Sequence, residues 1–539
     1  MRTVRLKLGI SLLGAALALG ASYVLGWAAP ATPAQARVDA AYAAMGGDKI
    51  AALKTLTLKA HLGQWDPGES YSLSDPDKPG VNSSELEQMW DYSRGLVRNY
   101  WWDRPNNDGQ RRKFVEVVTP AAGWVIGNDA SNGRTPKRAI MVNGEPAHTF
   151  SGRRLTVTLR ELERLRIVPS MKAHPDRVSA LPDQTVSGKT YPAVQYKSDY
   201  GTFIVIFDPA TNLPARVRTP DWDATEGDSV YDAEFFDWRD VAGTKIPFHT
   251  FYTLNGMTIA DLTYREVVAN PQLPANAFDI PADQLAKAAK PVDPRITPFH
   301  WAIRRGFSAF YFDSDSMYMD EGGKFTLVDI GPNVSETQGG THNTVFIATN
   351  SYLIAMEAPN DDGQSIPSIA LAKQRYPGKP IKYLVLSHHH VDHIGGMRQY
   401  AAEGATIVVG KGDGDYFRKV LARPETLNWN APKKPFMPNV IEVKDKWTVN
   451  DAGREVSFYV IDNPHADDMM IGYIPDQKLG LVTDIWNPGP PVTASNPNLA
   501  SVIHGVEKWG IKPTKFAGGH GTVGDYAEAE RVVKAAEKK

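Results

Sequence analysis

Residues 381–403 carry a pattern that few folds accommodate: a short apolar run, a histidine-rich loop, then a helix opened by glycines. Ile381-Lys-Tyr-Leu-Val-Leu386 is apolar, with β-branched and aromatic members, and reads as a buried strand. Ser387-His-His-His-Val-Asp-His-Ile-Gly-Gly396 follows, placing four of the thirteen histidines within six positions. Residues two apart in an extended loop point the same way, so His388 and His390 can grip one metal from one side. Asp392 and His393 come at the turn into the next element and can reach a second metal. Ile394 to Glu403 then reads as a helix whose glycines let the backbone approach closely. A ligand loop leaving the end of a buried strand is a rigid place to build a site.

This order of strand, motif and helix resembles the signature of the metallo-β-lactamase-fold superfamily. The resemblance implies three further ligands downstream, in a set order and each after a strand. Phe458-Tyr-Val-Ile-Asp-Asn-Pro-His465 supplies His465, Leu479-Gly-Leu-Val-Thr-Asp484 supplies Asp484, and Phe516-Ala-Gly-Gly-His520 supplies His520. It also implies that His388, His390 and His465 take one metal and that Asp392, His393 and His520 take the other, with Asp484 bridging. Imidazoles and carboxylates without a thiolate suit two divalent ions, zinc best, with iron or manganese also tolerated. His389, between ligands, is expected to turn away into a supporting role, and His504 to be an ordinary helix residue. Glu357 stands where relatives carry an acidic partner for a ligand. His342 is open between a substrate contact and a loop-anchoring hydrogen bond. The stretch Asp413 to Pro438, with Tyr416, Trp429, Lys433 and Lys434, resembles a lid, and Trp486 and Asn487 suit a pocket wall.

By the same resemblance, two metals roughly 3.5–4 Å apart hold a hydroxide between them at neutral pH and polarise the atom it attacks. Asp392 is then the catalytic residue, orienting the hydroxide and passing a proton to the leaving group. True β-lactamases do not usually place Asp at the position of Asp484, whereas glyoxalase II-like thioesterases, lactonases and phosphodiesterases do. The expected reaction is therefore hydrolysis of an ester, thioester, lactone or phosphoester in a small-molecule substrate. Three alternatives stay open: a persulfide dioxygenase-like iron enzyme, a β-lactamase, and an envelope lipid-binding protein with a structural metal site. Relatives of the first kind keep an incomplete second site, whereas His393 and His520 are both present here. Seven ligands weigh against the third, because structural zinc is normally four-coordinate and closed.

The rest of the chain sets the context. A net charge of −2 over 539 residues leaves no electrostatic footprint for nucleic acid, so no nucleic-acid partner is expected. Met1 to Lys7 is positive, Leu8 to about Ala29 is apolar, and Ala34-Gln-Ala36 offers a small-x-small cleavage site. Residues 1–36 thus read as a signal peptide directing the protein to the periplasm or outside, an uncleaved anchor being the alternative. The absence of cysteine excludes disulfides and an N-terminal lipidated Cys.

Residues 37–285 begin with a short helix from Val38 to Met45 and continue in hairpin rhythm, including 202–207, 215–218, 245–253 and 258–264, the last two joined at Asn255-Gly256. This resembles the half-barrel of LolA-type lipoprotein carriers, and implies a cupped sheet that holds an acyl chain, touches lipid or shapes the substrate entrance. A domain that merely buries its own sheet is the alternative. Trp90, Tyr92, Tyr100, Trp101 and Trp102 could line its concave face, although a core role for most is favoured. A linker over 286–323 leads to a catalytic domain over 324–539. The expected class is α+β: a C-terminal αββα sandwich of the metallo-β-lactamase fold preceded by a mainly antiparallel β half-barrel-like domain. No motif fixes the oligomeric state.

Overall fold

The computed structural model describes residues 32–65, 67–74, 82–105, 111–129, 139–293, 325–340, 342–433 and 436–539. The apolar N-terminal stretch, most of the expected linker and Lys434 lie outside these. The first helix, Pro33–Met45, starts earlier than expected. Thr32 accepts from the Gln35 N–H while the Gln35 side chain accepts from the Thr32 N–H, a reciprocal cap with Pro33 at the first helical position. Ala34-Gln-Ala36 therefore lies in the first helical turn.

A fourteen-stranded antiparallel sheet follows. Its strands Thr55–Gln64 and Met257–Ala269 pair in the middle, and the sheet grows outward on both sides. Gly201–Phe207, Pro214–Asp223, Thr244–Leu254 and Met257–Ala269 fall where the hairpin rhythm put them. The Asn255-Gly256 turn has φ of 51° and 87°, the doubly positive turn that matches strand twist. Trp90 and Trp101 are buried and Tyr92 packs on the core, whereas Tyr100 and Trp102 are exposed.

Two helices in this half, Gly152–Leu165 and Ile167–Ala173, were not anticipated from the hairpin pattern. They pack Leu155, Leu159, Ile167, Val168 and Met171 against Leu58, Trp90, Tyr196, Tyr231 and Phe235 of the sheet. The longer helix is hard to read because its buried face includes Arg154, Arg160 and Arg164, so apolar spacing under-reports it. Each arginine has an acidic partner: Arg154 bonds Glu116 (2.5 Å) and Asp129, Arg160 meets Asp221 (2.7 Å), and Arg164 meets Glu161 (3.0 Å). A narrow, largely apolar cleft lined by Leu56, Leu58, Trp90, Ile167, Phe235 and Tyr264 among others lies within this half.

The C-terminal half is an α+β sandwich. A seven-stranded sheet runs in chain order from Thr326–Gly331 to Val440–Glu442, and a six-stranded sheet from Lys446–Asp451 to Val523–Asp525. Val345, Ile347, Ile354, Val385, Val408, Phe458, Ile474 and Leu481 fill the space between them. Helices Asp362–Arg375, Met397–Ala402 and Gly414–Leu421 cover the outer face of the first sheet, and Pro497–Trp509 and Tyr526–Glu537 that of the second. Leu353–Met356, Ile381–Val385 and Thr406–Val409 are parallel neighbours; Leu353–Met356 is wholly buried and reads as an unbroken apolar run, while Lys382 and Thr406 interrupt the other two where they are not buried.

The helix expected over 394–403 is divided into Val391–Ile394 and Met397–Ala402, with Gly395-Gly396 between. A Cβ on Gly395 would strike the Asn360 carbonyl, and one on Gly396 the Ser365 hydroxyl. The glycines serve close approach, though to the loop after Leu353–Met356 and to helix Asp362–Arg375. The stretch expected as a lid begins with Gly414–Leu421 and then packs on the N-terminal sheet. Glu425 accepts from the Trp222 indole N–H (2.9 Å), Arg423 pairs with Glu226, and Asp228 accepts from the Thr426 and Leu427 N–H groups. Among the described residues no helix is long and apolar enough to cross a membrane.

Candidate metal centre

The sandwich brings the seven sequence-predicted ligands to one place. His388, His390, Asp392 and His393 follow strand Ile381–Val385, His465 follows Arg454–Val460, Asp484 follows Leu479–Val482, and His520 follows Lys515–Gly518. Asp484 is their meeting point. Its Oδ2 lies 3.4, 3.1 and 3.0 Å from the Nε2 atoms of His388, His393 and His465, and its Oδ1 lies 2.8 Å from His520 Nε2. Candidate ligand atoms of His388, His390, His465 and Asp484 all fall within 4.8 Å of one another, the grouping the resemblance implied for one metal.

The second cluster joins His393 and His520 with His342 rather than with Asp392. The hydrogen bonds resolve the difference. Asn360 offers an amide N–H to His342 Nδ1 at 3.5 Å, so the ring carries its proton on Nε2 and donates it to Asp392 Oδ2 at 3.1 Å. That makes His342 an orienting donor to Asp392, whose Oδ1 lies 3.7 Å from His393 Nε2. A histidine left open in the sequence thus belongs to the centre. Its only local signal was the Gly-Gly-Thr-His loop.

Second partners set the other rings as well. His393 donates Nδ1–H to Glu357 (2.9 Å), which also accepts from the Ser387 N–H (3.0 Å), leaving Nε2 for a metal. His390 donates Nε2–H to the carbonyl of Ser70 (3.0 Å), leaving Nδ1 free for ligation. His389 points away, as expected. It donates Nε2–H to the same carbonyl (2.9 Å), and its Nδ1 faces Asp468 at 2.8 Å, a carboxyl that burial pushes up to about 7. Asp413, which burial pushes up to about 9, stands beside them. Neither acid was singled out in the sequence, because each comes from a different loop. His504 is an exposed helix residue bonded to Glu537 (2.6 Å).

The electrostatics suit cations. Burial holds His388 at about 3 and, together with neighbouring His520, His342 at about 3, so both rings are neutral at physiological pH. Burial opposes charge on His393, yet Asp484 and Asp392 raise it well above the ordinary range. His388 Nε2 and His465 Nε2 face each other at 3.2 Å, and buried His393 Nε2 faces Asp484 Oδ2 at 3.1 Å. Ring nitrogens converging on a carboxylate in this way fit divalent metals. Glu357 (φ 71°) and Asp484 (φ 58°) also hold left-handed backbone, a strain of about 1–3 kcal/mol each that clusters at functional sites. Beside Asp484 lies a groove of about 800 Å³ including its open mouth, lined by Trp486, Asn487, Pro490 and Thr493 among others.

Residues 312–525 match the family model described as the metallo-beta-lactamase superfamily. Similar solved structures include the stereoselective inverting sec-alkylsulfatase from Pseudomonas sp., at 17% identity over 39% of this chain and 40% of that one, with a TM-score of 0.31. The chain thus spans less than half of that enzyme. They also include the metallo-beta-lactamase from Pontibacter korlensis, at 16% identity over 40% of this chain and 100% of that one, TM-score 0.31. A third is an archaeal metallo-beta-lactamase superfamily protein from Sulfolobus tokodaii, at 18% identity over 40% of this chain and 87% of that one, TM-score 0.28. No curated protein matches the chain.

Proposed function

We propose, from the membership of residues 312–525 in the metallo-β-lactamase superfamily, that this chain is an exported hydrolase with a dinuclear metal centre that cleaves an ester, lactone, thioester or phosphoester. The observation that carries the reading is Asp484, one carboxylate facing four imidazoles from both ligand sets. His388, His390 and His465 would hold one ion, Asp392, His393 and His520 the other, with Asp484 between them. Zinc suits this donor set best. When bound, two such ions supply a nucleophilic hydroxide at neutral pH and polarise the bond under attack.

The chain's own residues do the rest. Asp392 accepts from His342 on Oδ2, which fixes the carboxylate so that it would orient the nucleophile and pass its proton to the leaving group. Glu357 keeps His393 in the ligating tautomer. Trp486 and Asn487 line the groove in which a substrate would lie.

The test is to measure bound metal on the purified protein and assay p-nitrophenyl esters, lactones, thioesters and phosphodiesters, with nitrocefin alongside. Metal-dependent turnover of an ester-type substrate, little on nitrocefin and none in His388→Ala is expected. Less than one metal per chain, or activity indifferent to His388→Ala, would overturn the reading.

A further inference from the structure

The loop after strand Thr55–Gln64 leaves the N-terminal sheet and reaches the histidine motif more than 300 residues away. Its contacts with that half are specific. Gly68, at φ 89°, packs so closely that a Cβ would come within 2.6 Å of Val391 Cγ1. The Ser70 carbonyl accepts from both His389 and His390, and the Tyr71 carbonyl accepts from the Asp467 N–H at 2.8 Å. Between Gly68 and Ser70, Glu69 places Oε2 3.6 Å from His390 Nδ1. Ligand atoms of Glu69, His390 and Asp392 all lie within 4.8 Å of one another.

The orientation of the His390 ring gives that proximity its meaning. A backbone carbonyl only accepts, so Nε2–H is turned to Ser70 and Nδ1 is the ring nitrogen that faces the Glu69 carboxylate. Imidazole nitrogen and carboxylate oxygen are both ligand atoms, and a cation between them would be held by both. Two ligand atoms bound to one ion at about 2.1 Å stand roughly 3.0–3.4 Å apart, close to the separation seen.

We propose that Glu69 of the N-terminal sheet is a further ligand to the metal held by His390, so that metal binding fastens the two halves of the chain together. This rests on the metal reading above. It makes residues 67–72 a wall of the centre and gives the N-terminal half a direct part in it. One carboxylate more also raises the negative charge around the ion and takes one of its open positions.

The test uses the full-length chain with zinc as the probe. Chelator competition gives the affinity of each zinc, and hydrogen–deuterium exchange follows residues 67–74 in stripped and loaded protein, for wild type, Glu69→Gln and Glu69→Ala. In wild type, two zinc ions bind and loading slows exchange in the loop. Both variants are expected to keep one tight zinc, bind the other about 10-fold or more weakly, and lose the protection. Unchanged zinc affinities in both variants, with the loop still protected on loading, would overturn the assignment while leaving the dinuclear reading intact. Failure of the wild type to bind zinc overturns both together.

Discussion

The N-terminal sheet and the C-terminal sandwich both bury charged groups, and they balance them differently. In the N-terminal half, Arg154, Arg160 and Arg164 lie on one buried helix face, and each meets protein carboxylates. In the sandwich, every ion pair of Asp484 among the described residues is with an imidazole, and no Lys or Arg joins it. Two of the rings around Asp484 and Asp392, His388 and His342, are kept neutral by burial and carry no balancing charge. A buried charge is tolerated when it is paired, so the first network is complete within the chain. In the second, His393 is held charged by Asp484 and Asp392, and divalent cations would take over that balance where the ring nitrogens converge. The contrast separates a buried polar network that holds a fold from one suited to hold a ligand.

The comparison breaks most sharply at Asp484. Asp484→Ala removes the carboxylate shared by both ligand sets, and turnover on the responsive substrate is expected to fall by about 10³-fold or more, roughly 4 kcal/mol, in steady-state assays. The corresponding lesion in the other half is Arg154→Ala, which removes the guanidinium shared by buried Glu116 and Asp129. Loss of one partner of a buried pair costs about 3–5 kcal/mol, so denaturant unfolding of the N-terminal half should shift by that amount.

Glu357→Gln keeps the side-chain shape but weakens the grip on His393 Nδ1, and metal affinity measured by chelator competition should drop about 10–100-fold. Acid also probes the N-terminal network. Burial opposes ionisation of Asp129, but Arg154 and His148 hold its carboxyl well below the ordinary range. Its stabilising contribution is complete above the unfolded value of about 3.9 and is lost as pH falls toward the folded one. Unfolding midpoints followed below about pH 4 should therefore fall more steeply in wild type than in Asp129→Asn. The smallest effect is expected from His504→Ala. Its partner Glu537 lies on the protein surface, so metal content and turnover should not change.

What the sequence revealed and what it hid follow the same physics. The ligands sit at strand ends, where a short apolar run announces the strand and an unusual residue type announces the site. The resemblance could thus point to His465, Asp484 and His520 as candidates without knowing how the sheets pack. Glu357 was legible for the same reason. Contacts that cross the fold left no such mark: Glu69 and Ser70 reach the histidines from the N-terminal sheet, and Asp413 and Asp468 meet His389 from separate loops. The helix Gly152–Leu165 was hidden because its buried face is written partly in arginine, which apolar periodicity cannot register. The contacts around Glu425 left no local mark either, because nothing local says which surface a polar loop will meet.

The most direct measurement is the metal content of the purified full-length protein, by elemental analysis, for wild type and Asp484→Asn. The account predicts two divalent ions per wild-type chain and the loss of at least one in the variant, with the N-terminal half still folded. A wild-type chain with less than one ion, or a variant that retains both, would contradict the claim that cations balance the buried cluster.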